Sequence, residues 1–341
     1  FDPSNGTTDD LRFSYKRAKL AWYVIDNVFY RSGGVAKPPN ISESDLTNHY
    51  VRPIEPQEIF TQKQREVINT NYPIFDLAYY PSERGPYNFN PDLTSTGNLK
   101  DPQSNWGGVT TAIRSEVDFD KSNIEYIEFW MMDPFIGGAN GVILDGSANP
   151  QPNFTGGELV FNLGSVSEDV MRDRRMAFEN GLPTDGVKTP NAVDENNWGF
   201  VTNEQFINNA FNNEPGARVN QDIGLDGTND DEENDKFEDF LDNLPGNITS
   251  EALDDIRLDP SADNFKYFLD PDHDNNDHKI LERYKDFNGL DQNSPDLSNN
   301  VLPYSPSGST LPDNEDLNID NTLGDLEEFY EYRVDLRPGQ L

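Results

Sequence analysis

The sequence predicts a mainly β fold, an antiparallel β-sandwich of jelly-roll type that carries a helical, loop-rich acidic insertion. Three observations point there. Short runs of aromatic and β-branched residues are separated by glycine turns, 34% of residues are hydrophobic against 25 Gly and 24 Pro, and carboxylates crowd the second half of the chain. At 341 residues the chain exceeds one typical domain of about 100 to 200 residues. Four segments are expected: a strand-and-helix connector over 1–72, the sandwich core over 73–166, the helical acidic insertion over 167–296, and an extended connector with a closing strand over 297–341.

Taken in order, Arg17-Ala-Lys-Leu-Ala-Trp-Tyr-Val-Ile25 has the side chains of a half-buried strand. Gly33-Gly34 and Pro38-Pro39 punctuate a connector, and Ile59, Phe60, Val67 and Ile68 have helical spacing within Gln57–Asn69. Further strands are predicted at Ile74–Tyr80, Trp106–Ile113, Ile124–Asp133, Gly141–Leu144 and Gly157–Leu163, with a turn-rich segment over Pro81–Phe89. The aromatics Tyr79, Tyr80, Trp106, Tyr126 and Trp130 on these strands read as core in preference to a sugar-stacking face. Ser167 is placed to cap a helix over Glu168–Glu179 that Gly181 stops. Helical tracts follow at Asn203–Asn212, Asp235–Asn243 and Ser250–Arg257. The Ser-, Pro- and Asn-rich stretch 294–325 reads as an extended surface connector, and Glu328–Leu336 alternates as a closing strand. No internal repeat of fixed period is evident.

With 62 acidic against 26 basic residues the formal net charge is -36, which opposes phosphate backbones, so nucleic acid is not an expected partner. The charge is uneven. Residues 1–70 carry nine acidic and nine basic side chains, whereas 221–296 carry 23 and six. The absence of Cys excludes disulfides, thiolate zinc sites and a Cys nucleophile. His49, His273 and His278 lie in polar contexts and read as surface residues, no G-x-S-x-G elbow is present, and no carboxylate pair is marked as buried, so no catalytic residue is assigned and a non-enzymatic chain is expected. No run approaches the roughly 20 apolar residues of a membrane-crossing helix, and no secretory signal opens the chain. Both ends read as cuts from a larger protein.

Two acidic runs are candidate Ca²⁺ loops, since Ca²⁺ takes about six to eight oxygen ligands. One is Asp222-Ile-Gly-Leu-Asp-Gly-Thr-Asn-Asp-Asp-Glu-Glu233, with Asp222, Asp226 and Asp230 as ligands. The other is Asp270-Pro-Asp-His-Asp-Asn-Asn-Asp277, with Asp270, Asp272, Asp274 and Asp277 at near-alternate positions. The second departs from an EF-hand, with Asn275 at the glycine position and Leu281 at the position of the closing glutamate. For both runs a solvated acidic surface is the competing reading, and it is preferred.

Several strings in order carry a resemblance: Arg17-Ala-Lys-Leu-Ala-Trp-Tyr23, Glu83-Arg-Gly-Pro-Tyr-Asn-Phe89, Asn123-Ile-Glu-Tyr-Ile-Glu-Phe-Trp-Met-Met-Asp-Pro-Phe135, Ser167-Glu-Asp-Val170, Phe178-Glu-Asn-Gly-Leu-Pro183, Gln221-Asp-Ile-Gly-Leu-Asp-Gly227 and Tyr332-Arg-Val-Asp-Leu-Arg337. Together they resemble the SprA (Sov) family of gliding-motility and secretion proteins of Bacteroidetes, over nearly the whole chain. The resemblance implies a fragment of a very large outer-membrane β-barrel, the translocon of the type IX secretion system. It also implies as partners the rest of the SprA chain, a PorV-type barrel protein, a periplasmic plug protein and secreted cargo proteins. A transmembrane barrel strand needs about nine to eleven alternating residues with an apolar lipid face, and few segments here have that pattern. An extramembrane structural or interaction domain is therefore expected, with a calcium-dependent or glycan-binding surface module as the alternative.

Overall fold

Strand β1 (Ala18–Tyr23) runs antiparallel to β2 (Asp76–Arg84), pairing Tyr23 with Asp76 and Lys19 with Tyr80. The computed structural model describes residues 10–30, 37–64, 71–114, 119, 121, 123–289 and 311–339. β2 continues through Pro81–Arg84, where a turn is predicted. The register jumps there from Lys19–Tyr80 to Ala18–Arg84, and Pro81 falls in the jump, where no ladder donor is required of it.

Two aromatic cores join this ladder to the acidic half. In the first, Tyr23 stacks on Tyr284 at 4.4 Å, and Tyr284 stacks on Phe268 at 4.9 Å, with Phe29, Ile280 and Phe287 around them. Tyr284 closes the short helix Ile280–Tyr284, and its hydroxyl accepts from Asp26 N at 2.9 Å. In the second, Phe89 stacks on Phe237 at 3.9 Å beside Trp198, Phe240, Leu93 and Ile256. The acidic half therefore turns its few apolar residues inward while most of its carboxylates stay at the surface, the arrangement that lets so charged a segment pack.

The helices are short: α1 (Pro56–Ile59), α2 (Ala217–Gln221), α3 (Asp230–Lys236), α4 (Glu238–Asp242), α5 (Ser250–Leu258), α6 (Pro271–Asn275) and α7 (Ile280–Tyr284). The predicted helices in the acidic half appear as α4 and α5, the latter opened by Thr249, whose hydroxyl accepts from Ala252 N at 3.3 Å. The predicted helix over 57–69 is a single turn, α1, that ends at Ile59, and 65–69 lie outside the described residues. No helix forms over 203–212.

Strands β3 (Glu158–Ser165) and β6 (Glu328–Asp335) pair antiparallel along eight positions, so the predicted closing strand finds its partner in the predicted run at 157–163. Their register puts Leu159, Phe161, Leu163, Tyr330, Tyr332 and Val334 on one face and Glu158, Val160, Asn162, Glu331, Arg333 and Asp335 on the other. A small hairpin, β4 (Val193–Glu195) and β5 (Phe200–Thr202), completes the β structure. Antiparallel pairing is thus present, but the described strands form three separate two-stranded sheets and not two sheets packed as a sandwich.

Three predicted strands are missing from these ladders. Trp106 makes one isolated bridge to Arg17, Val142 makes one to Pro152, and Ile124–Asp133 has no strand partner among the described residues. Alternation supplies two faces to a strand, but a ladder also needs a neighbour with free amides and carbonyls. Tyr126 and Trp130, expected in the core, are 75% and 66% exposed, and Tyr79 is also exposed; Tyr80 and Trp106 are half-buried.

The predicted helix at 168–179 is replaced by an irregular loop, and the cause is tertiary. Arg172 and Arg174 adopt positive φ of 55° and 61°, which no α-helix allows. The buried Glu315 carboxylate accepts from Val170 N, Met171 N and Ala177 N at 2.7, 3.1 and 2.9 Å. Asp169 accepts from Asp173 N and Arg174 N, so side-chain oxygens take the amides that a helix would have used. The same arrangement recurs around Glu315-Asp316: Glu168 accepts from Leu317 N, Asn318 N and Gly324 N, Asp316 accepts from Asp320 N and Asn321 N, and Ile319 and Asn321 have φ of 62° and 61°. The described part of the expected surface connector thus buries both Glu315 and Asp316.

Candidate metal centre

The loop 222–229 is pinned beneath the β4–β5 hairpin. Phe200 N donates to Asp226 O at 2.7 Å, and Gly227 (φ 66°) comes so close that a Cβ would lie 2.4 Å from Phe200 O. This seats Asp226 and Thr228 in the interior, each 1% exposed. The chain then enters α3, capped by Asn229, whose side chain accepts from Glu232 N at 3.1 Å, and the first turns of that helix carry Asp230 and Glu233. After α5 the turn Asp259-Pro-Ser-Ala-Asp263 folds back over the same place, with Ala262 at φ 57°.

Carboxylate oxygens of Asp226, Glu233 and Asp263 lie within 4.8 Å of one another, and all three residues are at most 2% exposed. Glu233 also belongs to a second cluster with Asp230 and Asp259, equally close, that reaches the surface at Asp230. Ser261 ties two of the ligands together: its hydroxyl donates to Asp226 Oδ2 at 2.6 Å and its amide to Glu233 Oε2 at 2.9 Å. Asp263 N donates to Asp259 Oδ1 at 3.1 Å, and Asn264 donates to Asp230 Oδ1 at 2.8 Å.

Burial pushes the Asp226, Glu233 and Asp263 carboxyls above the ordinary carboxylate range, and Glu233 and Asp263 are raised further by the neighbouring carboxylates. Asp259 is raised by burial against the opposing pull of Arg84. Arg84 directs its guanidinium to the carbonyls of Asn88, Pro260 and Asp259 rather than to the triad, and burial lowers its own pKa to about 10. Such a cluster can persist only with protons or a bound cation between the oxygens.

The other predicted ligands do not join it. Asp222 accepts from Arg218 Nε at 2.9 Å. Asp270 caps α6, accepting from Asp272 N at 2.8 Å, Asp272 pairs with Lys266 at 2.8 Å, Asp274 pairs with the fully buried Arg283, and Asp277 pairs with Lys279 at 3.1 Å. Lys266 also lies 3.8 Å from Asp270, whereas Asp274 and Asp277 turn to different cations, Arg283 and Lys279. His273, expected at the surface, is 3% exposed, with Nδ1 2.9 Å from His278 Nδ1. Glu233 stands in the first acidic run without having been singled out, and Asp259 and Asp263 were missed. The available signal was the pair of carboxylates four apart around Pro260-Ser261 after a helix, but its meeting with 226–233 is a tertiary fact.

Comparison with known families reaches the same region of the chain. Residues 239–341 match the SprA_N family, described as a motility related/secretion protein. Over those residues the chain resembles this family. No curated protein matches it. The matched stretch supplies Asp259 and Asp263 to the acidic cluster, Tyr284 to the first core, Glu315 to the paired loops and all of β6. No helix among the described residues is long and apolar enough to cross a membrane.

Proposed function

We propose that this chain is an extramembrane structural and interaction domain of a SprA-type translocon in the outer membrane, serving protein export by the type IX route and gliding motility without catalysis of its own. The observation that carries this reading is the match of residues 239–341 to the motility related/secretion family. The exposed run Tyr126, Ile127, Phe129, Trp130 and Met131 supports a role in contacts, because monomeric surfaces rarely display so many large apolar side chains together. Two acidic clusters centred on a buried Glu233 and paired carboxylate loops are features of a scaffold that must hold its shape while others bind. The proposed partners are the rest of the SprA chain, a PorV-type barrel protein, a periplasmic plug protein and the exported cargo.

The test is a chromosomal replacement of Tyr126 and Trp130 by Ser in a gliding bacterium that makes this protein. The replacement is expected to reduce both secreted protein and colony spreading while the protein remains at its normal level. Unchanged secretion and spreading, together with the same result for an in-frame deletion of the whole chain, would sink the proposal.

A further inference from the structure

Going beyond the secretion reading, we infer that Asp226, Glu233 and Asp263, joined by the Thr228 hydroxyl, form a site for one divalent cation of the Ca²⁺ class that clamps loop 222–229 to α3 and to the turn after α5. The carboxylate oxygens lie within 4.8 Å of one another, a span that an ion with bonds of about 2.4 Å bridges. Thr228 gives an independent indication. It is 1% exposed, its amide donates to Asp226 Oδ1 at 3.0 Å, and its hydroxyl lies beside the same carboxylate without a hydrogen bond of ordinary geometry. A buried hydroxyl oxygen beside the Asp226 carboxylate adds a fourth oxygen to the ligand set.

Charge points the same way. Five carboxylates, those of Asp226, Asp230, Glu233, Asp259 and Asp263, share two clusters through Glu233. Arg84 directs its donors to backbone carbonyls, and Lys188, which acts on Asp226 from a distance, pairs with Glu232. Oxygen ligands without Cys or His match a hard cation, and the irregular, turn-built frame suits the flexible coordination of Ca²⁺ better than the strict octahedron of Mg²⁺. Asp230, exposed, and Asp259, half-buried, mark a carboxylate path from solvent to the interior triad. Ser261 holds Asp226 and Glu233 in place from outside the site, through its hydroxyl and its amide, as an outer-shell residue does for ligating carboxylates.

The experiment is thermal unfolding of the purified 341-residue chain, stripped with EDTA and then returned to 1 mM CaCl₂ or 1 mM MgCl₂, paired with Tb³⁺ luminescence sensitised by the chain's aromatics. Ca²⁺ is expected to raise Tm by about 5 °C and to displace Tb³⁺, with Mg²⁺ giving the smaller shift. Glu233→Gln and Asp263→Asn should abolish the Ca²⁺ shift, and Asp272→Asn, on α6, should retain it. Thr228→Val removes the hydroxyl and leaves every carboxylate in place, so it covers the case in which the carboxylate variants fail to fold, and it should need roughly ten times more Ca²⁺ for the same shift. The inference is overturned if wild type shows neither a Ca²⁺ shift nor Ca²⁺-displaceable Tb³⁺ emission. It is overturned equally if Thr228→Val responds to Ca²⁺ as wild type does. Secretion defects in the Tyr126 and Trp130 variant do not bear on it, so the two proposals fail separately.

Discussion

Glu168 and Glu315 hold each other's loops by the same set of bonds. Each carboxylate accepts from the amides two, three and nine residues after the other glutamate, and each glutamate's own amide donates to the carbonyl nine residues after its counterpart: Glu168 N to Gly324 O at 2.8 Å, Glu315 N to Ala177 O at 3.0 Å. The local copies are Glu168-Asp169-Val170 and Glu315-Asp316-Leu317, each with an Asp four residues after the central Asp, at Asp173 and Asp320. Reciprocity of this kind gives a two-fold clasp built from two separated stretches of sequence.

Removing one half of the clasp should be costly, because three amides, buried or partly buried, lose their acceptor. Glu315→Ala is expected to lower the unfolding free energy by about 3 kcal/mol, and Glu168→Ala by a similar amount, read from urea denaturation. The double variant should cost clearly less than the sum, since both glutamates serve one unit. Additive losses would show that the two loops are held independently.

The acidic triad makes the cation-free protein sensitive to alkali. Asp226, Glu233 and Asp263 have folded pKa values raised above the unfolded value of about 4, so the native state binds more protons than the unfolded chain. That contribution is complete below the unfolded pKa and is lost as pH rises through the folded values. Urea unfolding in EDTA should show stability falling from pH 5 to pH 9, and Glu233→Gln should flatten the slope. A wild-type slope that the variant reproduces would assign the effect to the net charge of the whole chain.

His273 should titrate far below an ordinary histidine. Burial lowers its pKa to about 4, with Arg283 and His278 adding to the effect. Its folded pKa is depressed, so its contribution is present above about pH 6.5 and is lost as pH falls towards 4. Imidazole NMR should find His273 still neutral at pH 5.5; a midpoint near 6.5 would contradict its burial.

Tyr284 joins the first core to the strand β1 side of the molecule through stacking and one hydrogen bond. Tyr284→Phe should keep the stack on Tyr23 and Phe268 and cost about 1 kcal/mol, the worth of the bond to Asp26 N. Tyr284→Ala should cost roughly 3 to 5 kcal/mol, because a fully buried aromatic leaves a cavity between two halves of the chain. Equal losses in the two variants would mean that the hydroxyl, not the ring, carries the contact.

Asp274→Asn separates the two readings of the second acidic run. Its partner Arg283 is fully buried while Asp274 itself is about one-third exposed. The substitution should therefore destabilise by about 1 to 2 kcal/mol, the screened value of a partly buried pair. The loss should be identical in EDTA and in millimolar Ca²⁺. A loss seen only with Ca²⁺ would restore Asp274 as a cation ligand.

Much of the local structure is written in the order of residues. The strand propensity of Ala18–Tyr23, the alternation of Glu328–Asp335 and the cap at Thr249 act through neighbours in sequence, and each element appears where those neighbours place it. So does the crowding of carboxylates in the second half. What tertiary structure decided is which groups meet. Glu168–Glu179 has the cap and composition of a helix, yet a distant Glu315 takes its amides and the helix does not form. Ile124–Asp133 alternates as a strand, yet no described neighbour completes its ladder. Asp226 and Asp263 stand 37 positions apart, and their convergence depends on the hairpin β4–β5 pressing one loop onto α3 while the turn after α5 returns from the other side. Propensity and capping are short-range energies that a sequence displays directly; the burial and repulsion that make this cluster distinctive arise only when separated loops exclude water together.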